Sequence, residues 1–286
     1  MSAIEVQPIS GALGAEILNV DLSEHLNNDQ FNKIHQAFLD NLVVFFRDQD
    51  LTPGQHVRFA KRFGELDIHK FIPGLPENPE LIPVIKSAGD TNSNFGGIWH
   101  TDVSFQEQPA LGSLLYGRKV PEYGGDTIFS NMYLAYERLS NGLKRTIADL
   151  RAIHTAGQVY GVDKRQESIQ RFAYGDESMN VRFGADAEEE VSHPVVRIHP
   201  ETGKKSLFVN EVYTTRFEGW TIEESAGLLK FLFNWSTRPD FTCRFRWQQG
   251  SMAFWDNRCV QHYALDDYYG FDRIMHRATI RGDKPV

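Results

Sequence analysis

A histidine–aspartate pair and one distant histidine constrain the fold of this chain more than any other feature. His100 and Asp102 lie two positions apart, whereas His262 lies far downstream. In a β-strand, side chains two positions apart point to the same side, so we expect His100 and Asp102 to face one cavity while Thr101 faces away. For His262 to join them, its own strand must lie beside theirs. The spacing therefore predicts a mainly β chain that folds around a metal site.

Two imidazoles and one carboxylate are the donors of a mononuclear ferrous site. They occupy one triangular face of an octahedron and leave the opposite face open for oxygen and a co-substrate. We predict that His100, Asp102 and His262 are both the metal ligands and the catalytic residues. The negative charge of Asp102 would offset part of the charge of Fe²⁺.

A second constraint comes from two arginines in residues 271–280, which the sequence predicts to be a strand. Arg273, Met275 and Arg277 share one face of this strand at a period of two residues. Burying two guanidinium groups without anionic partners is costly, and arginine suits the bidentate binding of carboxylate, sulfonate or phosphate. We therefore expect the strand to hold two anionic groups near the metal. Pairing with internal acids, or exposure to solvent, is the alternative for both arginines.

Five motifs, taken in order, resemble the family of taurine and 2,4-dichlorophenoxyacetate dioxygenases, which depend on Fe(II) and 2-oxoglutarate. The resemblance covers nearly the whole chain and includes FGELDIH at 63–69. It implies a double-stranded β-helix, a jelly-roll or cupin-like core with flanking helices, that holds iron inside its mouth. The motifs are WHTDVSF (99–105), GGDT (124–127), HPVVRIHPETGKKSLFVN (193–210), WDNRCVQH (255–262) and RIMHRATI (273–280).

The resemblance also implies roles for individual residues. Thr127 and Arg273 would bind the distal carboxylate of 2-oxoglutarate, and His69 and Arg277 would bind the acidic group of the main substrate. A turn hydroxyl that bonds its own backbone is the alternative for Thr127, and a structural role is the alternative for His69. Further substrate contacts are expected from Val103, Phe208, Ile72 and Asn94, with Tyr213 beside them.

Two positions depart from the taurine-type pattern. Ile72 stands where the taurine enzymes carry tyrosine, and Gly96 stands where they carry asparagine, with Asn94 two positions away. Both changes remove polar contacts and open space, and the loss of hydrogen-bond partners relaxes discrimination between substrates. We therefore expect a larger and more apolar acid than taurine, such as an alkyl sulfonate, a sulfate ester or an aryloxyalkanoate. A neutral lipophilic molecule such as a terpenoid is the alternative.

Two other classes of function stay open at this stage. A zinc hydrolase could use the same three ligands, but it would leave Arg273 without a role. A non-catalytic jelly-roll binding module would not need the complete set of ligands. Oxygen-dependent turnover of 2-oxoglutarate separates both classes from an oxygenase.

Composition narrows the setting of this protein. The motifs must converge on one site, which favours a single domain over residues 1–286. A net charge of −8 without a basic tract argues against a nucleic-acid partner, and no apolar run is long enough to span a membrane. Two cysteines and an N-terminus without a signal core indicate the cytoplasm. A homodimer or a homotetramer acting on a small molecule would fit the resemblance.

The pattern of apolar residues predicts helices and loops between the motifs. Residues 72–98 are rich in proline, glycine and asparagine and are predicted to form a long active-site loop. Residues 157–192 are predicted to form a lid or insertion, with a solvated surface segment as the alternative for the acidic part. The predicted helices cover residues 29–40, 53–62, 132–150 and 222–234.

Overall fold

The computed structural model describes residues 3–90, 94–164 and 180–286 of the chain, and it has a mainly β fold. The strands are β1 Glu5–Pro8, β2 Ala15–Leu18, β3 Val43–Phe46, β4 Leu81–Lys86, β5 Ala110–Lys119, β6 Thr127–Asn131, β7 Arg151–Thr155, β8 Glu190–Pro194, β9 Val196–Ile198, β10 Lys205–Leu207, β11 Thr214–Phe217, β12 Thr242–Phe245, β13 Met252–Asp256, β14 Val260–Ala264 and β15 Arg273–Arg281. The helices are α1 Asn28–Asn41, α2 Pro53–Ala60, α3 Met132–Glu137, α4 Asn141–Ile147, α5 Gly157–Tyr160 and α6 Ile222–Ser236, with 3-10 turns at Val162–Lys164, Ala185–Glu188 and Pro239–Phe241.

The strands build the jelly roll that the sequence predicts. The large sheet has seven strands in the order β1-β2-β3-β13-β5-β15-β4, so it takes strands from both ends of the chain. Smaller sheets have the orders β12-β6-β14, β11-β7-β8 and β10-β9. Apolar side chains of the large sheet and of β12-β6-β14 share one core, in which Phe45 stacks on Phe245 with ring centroids 4.0 Å apart and Phe129 packs beside them.

Two helices begin where the sequence predicts. Helix α1 begins at Asn28, because the side chain of Asn27 accepts a hydrogen bond from the backbone of Gln30 and completes a capping box. Helix α2 begins at Pro53 with Thr52 as its cap, and it ends at residue 60, two residues earlier than predicted. Such caps contribute about 1 kcal/mol each. Both helices pack on the same face of the large sheet, where Phe38 of α1 stacks on Phe254 of β13 and Phe59 of α2 packs on Phe46 of β3.

Three predicted elements differ from the structure. Residues 132–150 form two helices and not one, since Ser140 interrupts the first and caps α4. The loop predicted at 72–98 contains β4, whose Pro83 is tolerated because β4 is the edge strand of the large sheet. The segment 157–192 begins with α5 and ends in β8, which pairs with β7. Its residues 165–179 lie outside the described part of the chain, so its role as a lid stays a prediction.

No helix in the described residues combines the length and the apolar character that crossing a membrane requires.

Candidate active site

The three residues predicted to bind a metal meet in the structure. His262 lies on β14, and His100 forms a two-way β-bridge with it, in which the backbone N–H of each donates to the carbonyl oxygen of the other, at 3.1 and 2.9 Å. The Oδ1 atom of Asp102 lies 3.7 Å from Nε2 of His100 and 3.9 Å from Nε2 of His262. All three side chains are buried. Their donor atoms surround a space that a single ion could fill.

The path of the chain through this site differs from the predicted strand. Only His100 is bridged, and Asp102 lies in a turn that contains Val103 at a φ of 46°. A β-branched residue in this left-handed region costs about 1–3 kcal/mol. Thr101 does face away, as predicted, and its hydroxyl donates to the carbonyl oxygen of Val260. The turn, and not strand alternation, therefore aims Asp102 at the histidines.

His100 presents the tautomer that a metal requires, and both histidines are buried in the neutral form. The Nδ1 atom of His100 lies 2.7 Å from the carbonyl oxygen of Ile98, which can only accept, so the ring proton lies on Nδ1 and leaves the lone pair on Nε2. Burial lowers the pKa of His100 and of His262, which favours the neutral imidazole in both.

Asp102 is held as a carboxylate by groups on two sides. Nη1 of Arg277 donates to its Oδ1 at 2.8 Å, and the hydroxyl of Ser113 donates to its Oδ2 at 2.7 Å. Burial is the largest single influence and raises the pKa of Asp102, but the charges of Arg277 and of the two histidines, together with the hydrogen bond from Ser113, outweigh it, so the pKa lies below the usual value. The alternative that Arg277 pairs with an internal acid is therefore correct for one of its nitrogen atoms.

A second group of possible ligands is already committed to internal bonds. Asp256 accepts from Nε and Nη2 of Arg258, at 2.8 and 2.7 Å. The Nδ1 atom of His199 accepts from two backbone N–H groups, so its Nε2 donates to Asp256 at 3.0 Å. The adjacent guanidinium would repel a cation at Cys259. This cluster fixes the turn before β14.

The other end of the site contains an unbalanced positive charge. Arg273 is buried, and its Nε and Nη2 atoms have no hydrogen-bond partner among the described residues. Its guanidinium lies over the rings of Trp247 and Tyr268, at 5.8 and 5.9 Å. Thr127 accepts a hydrogen bond from Nε1 of Trp247 at 2.9 Å, which leaves its own proton for another acceptor. The pair suits a carboxylate that enters from outside.

Gly125 makes room for this guanidinium. Its φ is 66°, and an added Cβ would lie 3.3 Å from Nε of Arg273 and 3.1 Å from the ring of Tyr268. A side chain at this position would therefore be strained and would also crowd the arginine. The GGDT motif thus serves both Thr127 and Arg273.

Two adjoining cavities connect these groups. We call the first the metal cavity; its walls include His100, His262, Thr127, Arg273 and Arg277. We call the second the apolar cavity; its walls are Phe95, Gly96, Gly97, Ile98, His100, Val159, Tyr160, Val212 and Tyr213. Phe95, Gly96 and His100 border both. The sequence predicted Tyr213 here but missed Phe95, Ile98, Val159, Tyr160 and Val212, which come from three separate segments.

The remaining residues predicted to contact substrate lie behind these walls. His69 is buried beside Tyr160, with ring centroids 5.7 Å apart, and does not border either cavity. Its Nδ1 accepts from the backbone of Phe71 and Ile72, so the ring proton lies on Nε2. Burial lowers the pKa of His69 to about 3, so the ring is neutral.

Ile72 and Val103 belong to the apolar cluster around Tyr160 and do not border either cavity. Asn94 donates to the carbonyl oxygens of Ala264 and Leu265 and so anchors the turn that carries Phe95.

The structure places Phe208 away from both cavities. Its ring packs on His154 and His193, at 5.9 and 5.7 Å, and under the guanidinium of Arg197. It does not border the metal cavity or the apolar cavity. The chain turns between β10 and β11 in such a way that Tyr213, and not Phe208, reaches the apolar cavity.

Comparison with known proteins agrees with this geometry. The family model described as "Taurine catabolism dioxygenase TauD, TfdA family" matches residues 5–279. The chain belongs to this family. It is therefore a 2-oxoglutarate-dependent dioxygenase that uses Fe(II) and O₂, and the clustered His100, Asp102 and His262 fit the metal.

Three individual proteins are similar over nearly their whole length. An alkylsulfatase of Acinetobacter baylyi is 35% identical over 98% of this chain and 86% of its own. An alpha-ketoglutarate-dependent sulfate ester dioxygenase of Pseudomonas putida is 33% identical over 99% of this chain and 91% of its own. The crystal structure of a taurine dioxygenase from Burkholderia xenovorans superposes with a TM-score of 0.81, at 37% identity over 100% of this chain and 93% of that one.

Proposed function

We propose that this chain, as one catalytic domain, hydroxylates the carbon that bears the sulfate group of an alkyl sulfate ester. The hydroxylated product would collapse to an aldehyde and release sulfate, while 2-oxoglutarate and O₂ become succinate and CO₂. The observation that carries the proposal is the buried, unpaired guanidinium of Arg273 in the same cavity as His100 and His262. An oxygenase that uses an anionic co-substrate needs this charge, whereas a zinc hydrolase does not.

The residues at the far end of the metal cavity would orient 2-oxoglutarate. The guanidinium of Arg273 and the hydroxyl of Thr127 would both donate to its distal carboxylate, which satisfies the donors that the fold leaves unpaired. His100, Asp102 and His262 would hold the iron, which supplies oxygen activation when bound. Because Asp102 and Arg277 already form an ion pair, the charge of Arg273 is the one that the co-substrate would balance.

Arg277 would anchor the sulfate group. One of its nitrogen atoms donates to Asp102, but its Nε has no hydrogen-bond partner among the described residues, and the side chain borders the metal cavity. A planar guanidinium can bind a carboxylate and a second anion at the same time. The protonated Nε2 of His69 would be a second donor if Tyr160 moves aside. Fixing the anion decides which carbon lies next to the metal, and so governs selectivity.

The apolar cavity would take the alkyl chain. Its walls are aromatic and aliphatic side chains such as Phe95, Val159 and Val212, and it begins at His100, next to the metal. A short polar molecule such as taurine would leave this surface in contact with water. The names of the similar proteins, an alkylsulfatase and a sulfate ester dioxygenase, support the same class of substrate.

A substrate series under Fe(II), O₂ and 2-oxoglutarate tests the proposal. We expect alkyl sulfates from ethyl to dodecyl to form succinate, sulfate and aldehyde in equal amounts, with longer chains preferred. Taurine, 2,4-dichlorophenoxyacetate and a neutral terpenoid serve as comparisons. Formation of the alcohol with sulfate in the absence of O₂ would indicate a hydrolase and refute the proposal. If only the terpenoid is converted with matching formation of succinate, the proposal of an acidic substrate is refuted.

A further inference from the structure

We propose that Ser113 and Asn257 are positioning residues that restrict Asp102 to one ligand oxygen, Oδ1. The inference rests on the metal site proposed above, and it concerns residues that bind neither the metal nor a substrate. The side chains of Asp102, Ser113 and Asn257 are buried, and these three residues are joined by a series of hydrogen bonds.

The direction of every bond in this series is determined. Oδ1 of Asn257 lies 3.1 Å from the backbone N–H of Asp102 and 3.0 Å from Nε1 of Trp255, and both of these groups can only donate. The amide nitrogen Nδ2 must therefore point the other way, toward Oγ of Ser113 at 2.9 Å. Since the hydroxyl accepts this bond, its own proton is donated to Oδ2 of Asp102, at 2.7 Å.

The residues that carry this series of hydrogen bonds to Asp102 lie on or next to strands of the large sheet, which fix their positions. Ser113 lies on β5 in the middle of the large sheet, directly opposite Trp255 of β13, and Asn257 follows the end of β13. All of these side chains are almost completely buried. Asp102, in contrast, lies in a turn with a left-handed residue after it, where no β-ladder fixes its orientation. The sheet therefore supplies the alignment that the turn does not.

The two carboxylate oxygens consequently differ. Oδ2 is occupied by the hydroxyl of Ser113, whereas Oδ1 faces Nε2 of both histidines as well as Arg277. A carboxylate that binds through one oxygen takes one coordination position and leaves three for 2-oxoglutarate and O₂ in an octahedral site. Binding through both oxygens would take one of those three. Ser113 and Asn257 would thus leave one more position of a bound metal free for 2-oxoglutarate and O₂.

The test is Ser113→Ala, with Ser225→Ala as a matched control. Both serines are fully buried, and each donates one hydrogen bond and accepts one; Ser225 does so with Thr221 and Phe217, within and beside α6. We expect Ser113→Ala to weaken Mn(II) binding, measured by calorimetry, by about 10- to 100-fold. It should also change the visible absorption spectrum of bound Co(II), which reports coordination number. Ser225→Ala should change neither quantity, whatever it costs in thermal stability.

A second variant tests the connection between the two residues. Asn257→Ala should weaken Mn(II) binding as well, and the double variant should lose less than the sum of the two single losses, because Ser113 and Asn257 bond each other and support the same aspartate. Wild-type affinity and an unchanged Co(II) spectrum in the folded Ser113→Ala variant would overturn the inference while leaving the metal site intact. Wild-type protein that does not bind Mn(II) would instead refute the proposed function.

Discussion

Arg273 has a positive charge that the folded chain alone does not balance, so its removal should stabilise the protein when no ligand is present. Burial lowers the pKa of Arg273, and its two nearest rings lie at the outer limit of cation–π contact. An uncompensated buried ion costs several kcal/mol, whereas each such ring contact returns about 0.5–1 kcal/mol. We therefore expect Arg273→Met to raise the free energy of unfolding by about 1–3 kcal/mol.

The same substitution should abolish stabilisation by 2-oxoglutarate. Two charge-assisted hydrogen bonds at about 1.5–3 kcal/mol each correspond to a Kd that is about 10²- to 10⁴-fold weaker. Thermal unfolding of the Mn(II)-loaded protein, with and without 2-oxoglutarate, measures this effect. A ligand at about 100 times its Kd stabilises the wild type by about 2.7 kcal/mol, and Arg273→Met should show almost none of this gain. Arg197→Met is the control. Arg197 is also buried and also has two nitrogen atoms without a partner among the described residues, but its Nη2 donates to Asp283 and it borders neither cavity.

Two results would refute this reasoning. If Arg273→Met is less stable than the wild type without ligand, the guanidinium is paired within the fold and the cavity is not prepared for an anion. If the variant keeps the full stabilisation by 2-oxoglutarate, the carboxylate binds elsewhere. Loss of the ligand effect in Arg197→Met would show that the assay reports general damage.

Three further predictions concern the metal, the tail of the substrate and acid stability. His262→Ala should abolish Mn(II) binding, and an unchanged metal content would contradict the proposed ligand set. Val212→Phe should fill part of the apolar cavity and lower kcat/KM for dodecyl sulfate much more than for ethyl sulfate; an equal loss for both would argue against this position of the chain. The pKa of Glu201 is lowered from 4.5 to about 2, first by the hydrogen bond from His35 and also by Arg258. A carboxyl group whose pKa is lower in the folded state than in the unfolded state stabilises the folded protein at pH values above the unfolded-state pKa. This stabilisation is lost as the pH falls from about 4.5 to about 2. Glu201→Gln should therefore flatten the decline of stability in that range, measured by urea unfolding, and parallel curves for variant and wild type would refute it.

The residues around the proposed metal could be predicted from the sequence, because few sites need this combination of side chains and the motifs occur in a fixed order along the chain. Two histidines and one carboxylate have few other reasons to converge, and an inward-facing arginine on β15 requires an anion. The geometry was less predictable. The spacing of His100 and Asp102 indicates a strand, but the structure has a single β-bridge followed by a turn. Different backbone paths can bring the same two side chains together, so the spacing identified the residues and not the conformation.

The substrate end could be predicted only in part. Tyr160 and Val212 reach the apolar cavity from segments whose sequence has no motif, and Phe208 and Tyr213 are both aromatic residues that could line a pocket. Which of two neighbouring aromatic residues faces a cavity depends on where a short strand ends, here between β10 and β11. Such a boundary is shifted by tertiary packing and cannot be derived from periodicity over three or four residues.

Three costly features of the fold involve residues of the proposed site or the residue next to it. Val103 adopts a left-handed conformation that its branched side chain opposes, and Arg273 is buried without an anion. Asp102 and Arg277 form a buried ion pair, for which the loss of hydration offsets much of the attraction. Elsewhere, α1 and α2 begin at good caps and the edge strand β4 accommodates its proline. Selection for stability alone would remove the buried charge of Arg273 and the buried ion pair of Asp102 and Arg277, so both features support the proposal that this site binds a metal and two anions.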